Sequence, residues 1–438
     1  MKNHSIAISL LLLFSTNDAW SVDSAAQWAQ WRGPLATGVA PKADPPIEWS
    51  ETKNIRWKKA LPGKGHSTPV IWEDRIYLTA AEPFGKPRLP VYDKAPGSHD
   101  NLPVMRSHRY LVLALDRKSG DEVWRRVVTE AFPHEGGHTS GTLASHSPIT
   151  DGKQIYAFFG SRGLFALNLA GEVVWKADLG IMNTKHAHGE GASPVLHGET
   201  IVVNWDHEGE SAIHAFDKRT GALKWRVHRD EVTSWATPIV VEHEGKFQVI
   251  VSATNRIRAY DLENGKVVWE CGGMSNNVVA SPVYADGVVI AACSYDTRAI
   301  IAIRLAGAKG DITDTANVLW KTNQRTPYVP SPLPVGESLY FLNHYQGVLS
   351  CLDPKTGKTR AGPFRLGSIR DVYASPVSAA NRIYITDRSG ITLVLNHGDE
   401  PKPIARNELD DTFSASAALV GKELFLRGER HLYCIAAP

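Results

Sequence analysis

The side chains in this sequence that are best suited to chemistry are histidines, and most of them stand in glycine-rich segments. PHEGGHTSGTLASH, KHAHGEGASP and NWDHEGE each combine imidazoles with carboxylates. Such groups, with Glu135 and Glu190 among the carboxylates, could bind zinc or copper if they converged. The spacings match no known metal signature, however, and loop histidines more often hydrogen-bond to nearby backbone. We therefore expect a polar contact surface, with no metal bound to it. The residues that should form this surface are His66, His134, His138, His146, His186, His188, Asp206 and His207.

Arginine and tyrosine supply a second group of candidates, in loop-like segments of the C-terminal half. Both are typical interface anchors because they present a large, preorganised contact area with a polar tip. Part of the set could instead bridge neighbouring structural units, and the arginines could select an anionic ligand such as a carboxylated or sulfated sugar. The candidates are Arg325, Tyr328, Arg370, Tyr373, Arg388, Arg427 and Arg430.

The segments that must position these side chains are repeats. Ser/Thr-Pro steps recur along the chain, and six of the seven intervals between copies lie between 41 and 50 residues. A fixed period of this size marks a solenoid or a propeller. Alternating runs such as RIYLTA and RIYIT follow the steps and predict β-strands. The steps begin at Thr68, Ser147, Ser193, Thr237, Ser281, Ser331 and Ser375, and Ser416 begins a last copy without proline.

Tryptophans provide a second repeated signal, after turns such as LDRKSGDEVW and FDKRTGALKW. Asp or Asn followed by glycine predicts a hairpin, because the side chain caps the turn and glycine takes a positive φ. We expect the recurring indoles to pack between neighbouring repeats as structural residues. They are Trp57, Trp124, Trp175, Trp225, Trp269 and Trp320. Trp235 lies outside this register and is the tryptophan that we consider for ligand contact.

These signals predict an all-β protein, an eight-bladed β-propeller of four-stranded antiparallel blades. The eighth copy ends after three strands, so a strand over 54–61 should complete the last blade from the N-terminus. One interval is longer than the others, mainly through an insertion at about 82–108 that is rich in Gly, Pro and His. Connections before the Ser/Thr-Pro steps emerge on the same face as the loops between second and third strands. The candidate residues should therefore converge around one end of the central channel.

The blades IYITDRSGITLVLN and SCLDPKTGKTR resemble the pyrroloquinoline-quinone-like repeat over essentially the whole chain after Trp31. The resemblance implies the eight-bladed propeller of quinoprotein alcohol dehydrogenases and of the lipoprotein subunit of the outer-membrane barrel-assembly machinery. The chain is also similar to exported members that open with a QWRGP segment, as here over 30–34. This repeat serves enzymes and scaffolds alike, so the resemblance implies the fold more strongly than the function.

The enzyme alternative is a quinoprotein dehydrogenase with pyrroloquinoline quinone (PQQ) and calcium. The resemblance implies a quinone held between a tryptophan floor and a disulfide of adjacent cysteines, but Cys271, Cys293, Cys351 and Cys434 are widely spread. The large insertions of those enzymes are also missing. We therefore expect no cofactor, no catalytic residue, and buried thiols. The favoured function is a non-catalytic scaffold or binding propeller; a small-molecule binding propeller for anionic or sugar ligands is the first alternative and a PQQ-dependent oxidoreductase the second.

The net charge and the N-terminal residues limit the partners and the cellular location that we expect for the protein. A formal net charge of +2 argues against nucleic acid as a partner. Lys2 and the apolar run over 6–14 predict a signal peptide within 1–26, cleaved at about 19–26, rather than a transmembrane segment. The propeller should occupy 27–438. We expect an exported, monomeric protein in the periplasm or at the outer membrane, with a protein partner or a small polar ligand.

Overall fold

The computed structural model describes residues 23–90, 95–398 and 400–437, and its sheets form an all-β propeller. Eight antiparallel sheets of four strands each follow one another along the chain, which confirms the predicted fold class. Inner strands of neighbouring sheets contact each other, and the first sheet contacts the eighth, so the ring is closed. We call these sheets blades 1 to 8 and their strands a to d, from the channel outward.

Strands a to d of the first four blades have the following bounds. Blade 1 contains Val70–Trp72, Arg75–Phe84, Ser107–Asp116 and Glu122–Ala131. Blade 2 contains Ile149–Thr150, Gln154–Phe158, Leu164–Asn168 and Val173–Ala177. Blade 3 contains Val195–His197, Thr200–Trp205, Ala212–Asp217 and Leu223–His228. Blade 4 contains Ile239–His243, Lys246–Ser252, Ile257–Asp261 and Val267–Cys271.

The other four blades repeat this plan. Blade 5 contains Val283–Ala285, Val288–Ser294, Arg298–Arg304 and Val318–Thr322. Blade 6 contains Leu333–Val335, Ser338–Leu342, Val348–Leu352 and Thr359–Arg365. Blade 7 contains Val377–Ala379, Arg382–Thr386, Ile391–Asn396 and Pro403–Glu408. Blade 8 contains Ala418–Val420, Glu423–Arg427, His431–Ala436 and, as strand d, Ile55–Ala60.

Blade 8 is completed from the N-terminal side, as the sequence predicts. Ile55–Ala60 pairs antiparallel with His431–Ala436, and Trp57 lies opposite Cys434. This pairing covers the edge that the third strand of an incomplete blade would leave open.

The recurring tryptophans join each outer strand to the next blade. The Nε1 of Trp124 donates to the carbonyl of Leu169 at 2.9 Å, and that of Trp175 donates to Lys218 at 2.9 Å. Trp225 and Trp320 make the same bond to the following hairpin. The indoles also explain the hairpin glycines, because a Cβ at position 171 would lie 2.7 Å from the Trp124 ring. Trp269 differs, because its Nε1 donates to Gln248 within its own blade.

The Ser/Thr-Pro steps form a chain of hydrogen bonds around the channel. The amide of Thr68 donates to Oγ of Ser147, and the amide of Ser147 donates to Oγ of Ser193, at 2.9 and 3.0 Å. The same bond recurs between each following pair, ending with Ser375 and Ser416. At every step after the first, the hydroxyl is therefore a blade-to-blade link, which explains why Ser or Thr recurs at this position.

Short elements decorate the propeller. Asn101–Leu102, inside the blade 1 insertion, pairs with Gly137–His138. Gly310–Asp311 adds a parallel strand to the outer edge of blade 4. Single turns of 3-10 helix occupy Ser24–Ala26, Gly160–Arg162 and Lys185–Ala187. In the described part of the chain, no helix has the length and apolar character that crossing a bilayer requires. All four cysteines are buried, as expected from their positions in or beside strands.

Most of the predicted signal peptide, residues 1–22, lies outside the described residues. The cleavage site and the start of the mature chain therefore stay predictions.

Candidate functional site

A cavity of about 540 Å³ occupies one end of the central channel. It is lined by connections that precede the Ser/Thr-Pro steps and by loops between strands b and c, and its lining includes no residue of a c–d hairpin. The rim is open to solvent, since Tyr295 is 42% exposed and His99 is also exposed. Cavities of this volume are large enough for a small ligand or for an inserted side chain of a partner.

The floor of the cavity is formed by repeated hydroxyls and by an N-terminal tryptophan. Ser147, Ser193, Ser281 and other step hydroxyls line it together with Trp31. Trp31 belongs to a segment that crosses the ring. On one side, the backbone of Trp28, three residues earlier, exchanges two hydrogen bonds with that of Ile71 in blade 1.

On the other side of the ring, the Arg32 guanidinium holds the same segment. It donates to the carbonyls of Pro332 in blade 6 at 2.6 Å and Pro376 in blade 7 at 2.7 Å. The N-terminal segment therefore closes the channel beneath the cavity.

Three histidines, His99, His138 and His188, form one wall of the cavity. Together with His186, which packs beside them, they make up what we call the histidine cluster. The ring centroid of His99 lies 4.9 Å from that of His186 and 4.8 Å from that of His188. His186 and His188 are 5.3 Å apart, and His138 lies 4.8 Å from His188. The blade 1 insertion supplies His99, while the others come from connections between blades. Burial lowers the pKa of His188 to about 4, so this ring is neutral at pH 7.

The opposite wall is aromatic. The rings of Tyr328 and His344 stack at 4.8 Å, and Tyr295 stacks on Tyr328 at 5.7 Å. Tyr345 contacts both His344 and Tyr373, at 4.4 and 5.8 Å. This surface combines apolar ring faces with hydroxyls, which is the character of an anchor for partner side chains or for sugar rings.

A carboxyl group, that of Glu190, lines the cavity in the same connection as His188. Glu190 accepts hydrogen bonds from the hydroxyl and the amide of Ser161, the latter at 2.9 Å. A Cβ at position 160 would come within 1.5 Å of its Oε2, so Gly160 is required for this close approach. Burial, opposed by the Ser161 hydrogen bonds, raises the pKa of Glu190 to about 7.

Six of the residues selected from the sequence line this cavity: His66, His138, His188, Trp235, Tyr328 and Tyr373. Trp235 forms part of the wall, and its Nε1 donates to the carbonyl of Gly189 at 2.7 Å. His186 joins them through the histidine cluster.

Other predicted histidines and Asp206 are placed elsewhere, in structural roles. Asp206 forms a fully buried ion pair with Arg229 at 2.7 Å. The Nδ1 of His207 accepts from the amide of Asn183 at 3.2 Å. His146 is buried beneath the cavity against Phe158, and His134 bonds to the carbonyl of Met182 at 2.6 Å. None of these four side chains lines the cavity.

The five predicted arginines also lie outside the cavity lining. Arg388 stacks behind Tyr373 at 4.7 Å and pairs with Asp371. Arg427 is buried, where it donates to Ser67, and Arg430 pairs with Asp410 and Asp411 on the surface. The remaining two are Arg325, in a separate pocket beside blade 6, and the exposed Arg370. Arginine therefore offers no direct contact to an anionic ligand within the cavity.

Sequence reasoning missed His99, Trp31 and the ring partners Tyr295, His344 and Tyr345. His99 lies inside the insertion, whose richness in histidine was the available signal. The repeat pattern predicts that the b–c loops lie on this face, so the SYDT and NHYQG motifs in those loops are the signal for the aromatic residues. Trp31 is part of the QWRGP segment, which precedes the first blade and carries no repeat signal that would place it at the channel.

Fold and cavity together define a propeller with one closed channel end and one open, asymmetric end. A family model described as outer membrane protein assembly factor BamB matches residues 19–205, 108–360 and 209–437. The chain belongs to this family. A search of curated proteins gave no match.

Solved structures share the fold at low identity. The quinohemoprotein alcohol dehydrogenase ADHIIG from Pseudomonas putida HK5 is 11% identical, with a TM-score of 0.55 over 94% of this chain and 80% of that one. The computationally designed Ika8 protein is 10% identical, with a TM-score of 0.52 over 79% and 95%. BamB from Moraxella catarrhalis is 16% identical over 86% of this chain and 98% of that one. The TM-score of this pair is 0.43, which is too low for a comparison of structural detail.

PQQ, the cofactor that the sequence resemblance implies, places clear requirements on the side chains around it. The quinone is a tricarboxylate and needs cationic partners, but among the described residues of the lining there is no arginine or lysine. Calcium sites are usually built on several carboxylates, whereas the lining holds two carboxyls, those of Asp100 and Glu190, and the latter is already bonded to Ser161; its other oxygen donors are neutral hydroxyls and the Asn277 amide. The donor set does not fit PQQ with calcium. Within 23–90, 95–398 and 400–437, no three His, Cys, Asp or Glu side chains present a ready-made metal site.

Proposed function

We propose that this chain is a non-catalytic binding propeller of the cell envelope, which holds a protein partner over its open cavity. The observation that carries the proposal is the asymmetry of the cavity: histidines form one wall and stacked tyrosines the other. A propeller of identical blades would present only a symmetric surface. A specific partner needs an asymmetric surface, which requires loops that differ from blade to blade. Membership of the BamB family supports a partner in the envelope, and the signal peptide predicted from the sequence supports export.

The aromatic wall supplies the anchors for this partner. Tyr295 is 42% exposed, and Tyr345 and Tyr373 are half-buried, so their outer faces remain free to bury apolar surface of a partner. Tyrosines in such positions contribute to binding through large contact area and a polar tip. The closed floor at Trp31 limits how far a partner segment can enter.

A neutral sugar is the second candidate ligand, favoured by the same stacked rings together with the hydroxyls on the floor. Since neither arginine nor lysine occurs among the lining residues that the structure describes, carboxylated or sulfated sugars are disfavoured as ligands. Native mass spectrometry of protein purified from its own envelope distinguishes the two candidates. A partner adds a polypeptide mass, whereas a sugar adds a small one.

Site-specific photocrosslinking tests the proposal directly. A benzophenone amino acid replaces Tyr345 at the cavity, and a matched control carries it at Lys358, which is exposed on a c–d hairpin. After irradiation of intact cells, we expect a discrete crosslinked polypeptide from position 345 and none from position 358. Crosslinking from 358 alone, or none from 345 while the protein is folded and abundant, would contradict the proposal.

A further inference from the structure

The aromatic wall and the step hydroxyls of blades 5 to 7 lie together on one side of the cavity. Tyr328 and Tyr373 stand in the connections that lead to the steps at Ser331 and Ser375, and all four residues belong to the cavity lining. Val329, beside Tyr328, also lines the cavity. This side therefore presents aromatic rings, an aliphatic residue and hydroxyls to an occupant.

The charged groups of the lining lie elsewhere in the cavity. Among the described lining residues they are the carboxyls of Asp100, in the blade 1 insertion, and Glu190, in the connection between blades 2 and 3. Arg388, which already stacks on Tyr373, and Arg298 lie near the aromatic wall but outside the lining. An acidic or basic side chain placed against the wall would lose hydration without meeting an opposite charge in the described lining. The wall therefore favours an uncharged occupant.

The floor beside this wall supplies hydrogen-bond donors. The hydroxyl oxygens of Ser281, Ser331 and Ser375 each accept the amide of the preceding step, at 2.9, 3.0 and 2.9 Å. The protons of these hydroxyls have no acceptor within hydrogen-bond distance among the described residues, so each hydroxyl can still donate. An occupant of this floor should therefore bring acceptors such as carbonyl oxygens, whereas an N–H group would find serine oxygens that already accept one bond.

A proline-rich segment in the polyproline II conformation has the matching properties. Its carbonyls are unpaired within the helix, its prolines have no N–H, and its pyrrolidine rings are apolar. Such segments dock on aromatic-lined grooves. Neighbouring ring centroids along the wall, from Tyr295 to Tyr373, are 5.7, 4.8, 4.4 and 5.8 Å apart. Each step corresponds to about one and a half to two residues of a helix that rises about 3.1 Å per residue.

We propose that the aromatic wall binds a proline-rich, extended segment of the protein partner, with pyrrolidine rings against the tyrosines and carbonyl oxygens toward the serine hydroxyls. The inference rests on the proposed function, because it names the segment that the partner presents to the cavity. The rings need no rearrangement, since Tyr295 is 42% exposed and Tyr345 and Tyr373 are half-buried as they stand. The closed floor at Trp31 keeps the segment on the wall and out of the channel below.

Peptide selection on the immobilised full mature chain tests this inference. The probe is a random library of peptides of about 12 residues, long enough to span the wall as polyproline II. We expect proline to be enriched at least about three-fold over the library in the captured peptides, with a spacing of three residues. The double variant Tyr295→Ala, Tyr345→Ala should retain at most about one tenth of these peptides. Tyr284→Ala is the matched control and should retain them in full, because this half-buried tyrosine lies outside the cavity lining.

A second measurement uses the native chain alone, so it does not depend on the folding of a variant. A selected peptide that carries a photoreactive group should crosslink to Tyr295, Tyr328, Tyr345 or Tyr373, as identified by mass spectrometry. Crosslinks confined to the histidine cluster or to c–d hairpins would overturn the inference. The same holds for capture of charged peptides without proline, for equal capture by the folded double variant, and for capture of a neutral glucan oligosaccharide with no peptide.

This inference and the proposed function fail in different ways. A polypeptide crosslinked from position 345 in cells through a segment without proline would support a protein partner and overturn the proline-rich segment. If position 345 gives no crosslinked polypeptide, the proposed function itself is contradicted.

Discussion

The indole Nε1 of Trp57 donates to the carbonyl oxygen of Arg117 at 3.1 Å. This bond joins strand d of blade 8, which comes from the N-terminal side of the chain, to the c–d hairpin of blade 1. The bond thereby connects the first and the last blade of the ring. The indole packs so closely on Gly120 that a Cβ at this position would lie 2.6 Å from it. The last blade is thus fastened twice, by strand pairing to His431–Ala436 and by this indole to its neighbour.

Replacing Trp57 with alanine should destabilise the whole propeller, because the side chain is 8% exposed and packs on Phe425. We expect a loss of about 3 kcal/mol in the free energy of unfolding. Urea unfolding followed by circular dichroism measures it. A loss below about 1 kcal/mol would show that the N-terminal strand does not hold the ring closed.

The hydroxyl chain gives a prediction with an internal control. Ser281→Ala removes the acceptor of the Thr237 amide, a buried bond of 2.9 Å, and should cost about 1–3 kcal/mol. Thr68→Val should cost less than about 0.5 kcal/mol, since the Thr68 hydroxyl is buried without a hydrogen-bond partner in the described structure. Parallel urea titrations compare the two variants. Equal losses would mean that packing, and not the hydrogen bond, explains the repeated hydroxyl.

The floor of the cavity depends on Arg32, which is 2% exposed and bonded to three backbone carbonyls. Lysine has no planar fork to reach all three acceptors, so Arg32→Lys should release the N-terminal segment. We expect limited proteolysis within 27–40 to accelerate about ten-fold or more in this variant. Unchanged cleavage relative to the native chain would contradict the role of Arg32 as the anchor of the floor.

Acid should destabilise the protein through His146. Burial lowers the pKa of this ring to about 3, and neither ring nitrogen has a hydrogen-bond partner in the described structure. Because the folded pKa lies below the unfolded value of 6.5, stability is fully present above pH 6.5 and falls as the pH drops below it, by up to about 1.4 kcal/mol per unit.

His146→Leu removes this titration and is the variant that tests it. Between pH 7.5 and pH 5.0 the native chain should lose about 2 kcal/mol more stability than the variant, measured by urea unfolding at both values. His66, whose pKa is lowered to about 3 by burial and by Arg427, adds to the acid sensitivity of both proteins. An identical pH dependence of the two proteins would show that His146 does not contribute.

The repeated features of the molecule could be predicted from the sequence, because the same residue types recur at equivalent positions of the repeats. Tryptophan, hairpin glycine and the Ser/Thr-Pro step each fix a bond that recurs between blades. The open cavity could be predicted only as a face, because its walls come from loops that do not repeat. Asp206 shows the limit: its partner Arg229 neutralises it inside the fold, and no local pattern connects the two. Arg427 is a second example. It stands in a polar LRGERH segment that suggests exposure, but it is the last residue of strand b in blade 8 and is buried against Ser67.

Comparison of two triple variants in the native envelope tests the central claim most directly, that the open cavity is the binding surface. One carries alanine at Tyr295, Tyr345 and Tyr373 on the aromatic wall, and its matched control carries alanine at the exposed hairpin residues Lys118, Glu263 and Lys358. Quantitative mass spectrometry of affinity-purified protein measures the co-purifying partner or ligand. We predict that the cavity variant loses at least about ten-fold of it and the hairpin variant none, both remaining folded by circular dichroism. Equal losses, or a loss from the hairpin variant alone, would place the binding surface on the opposite face and contradict this account.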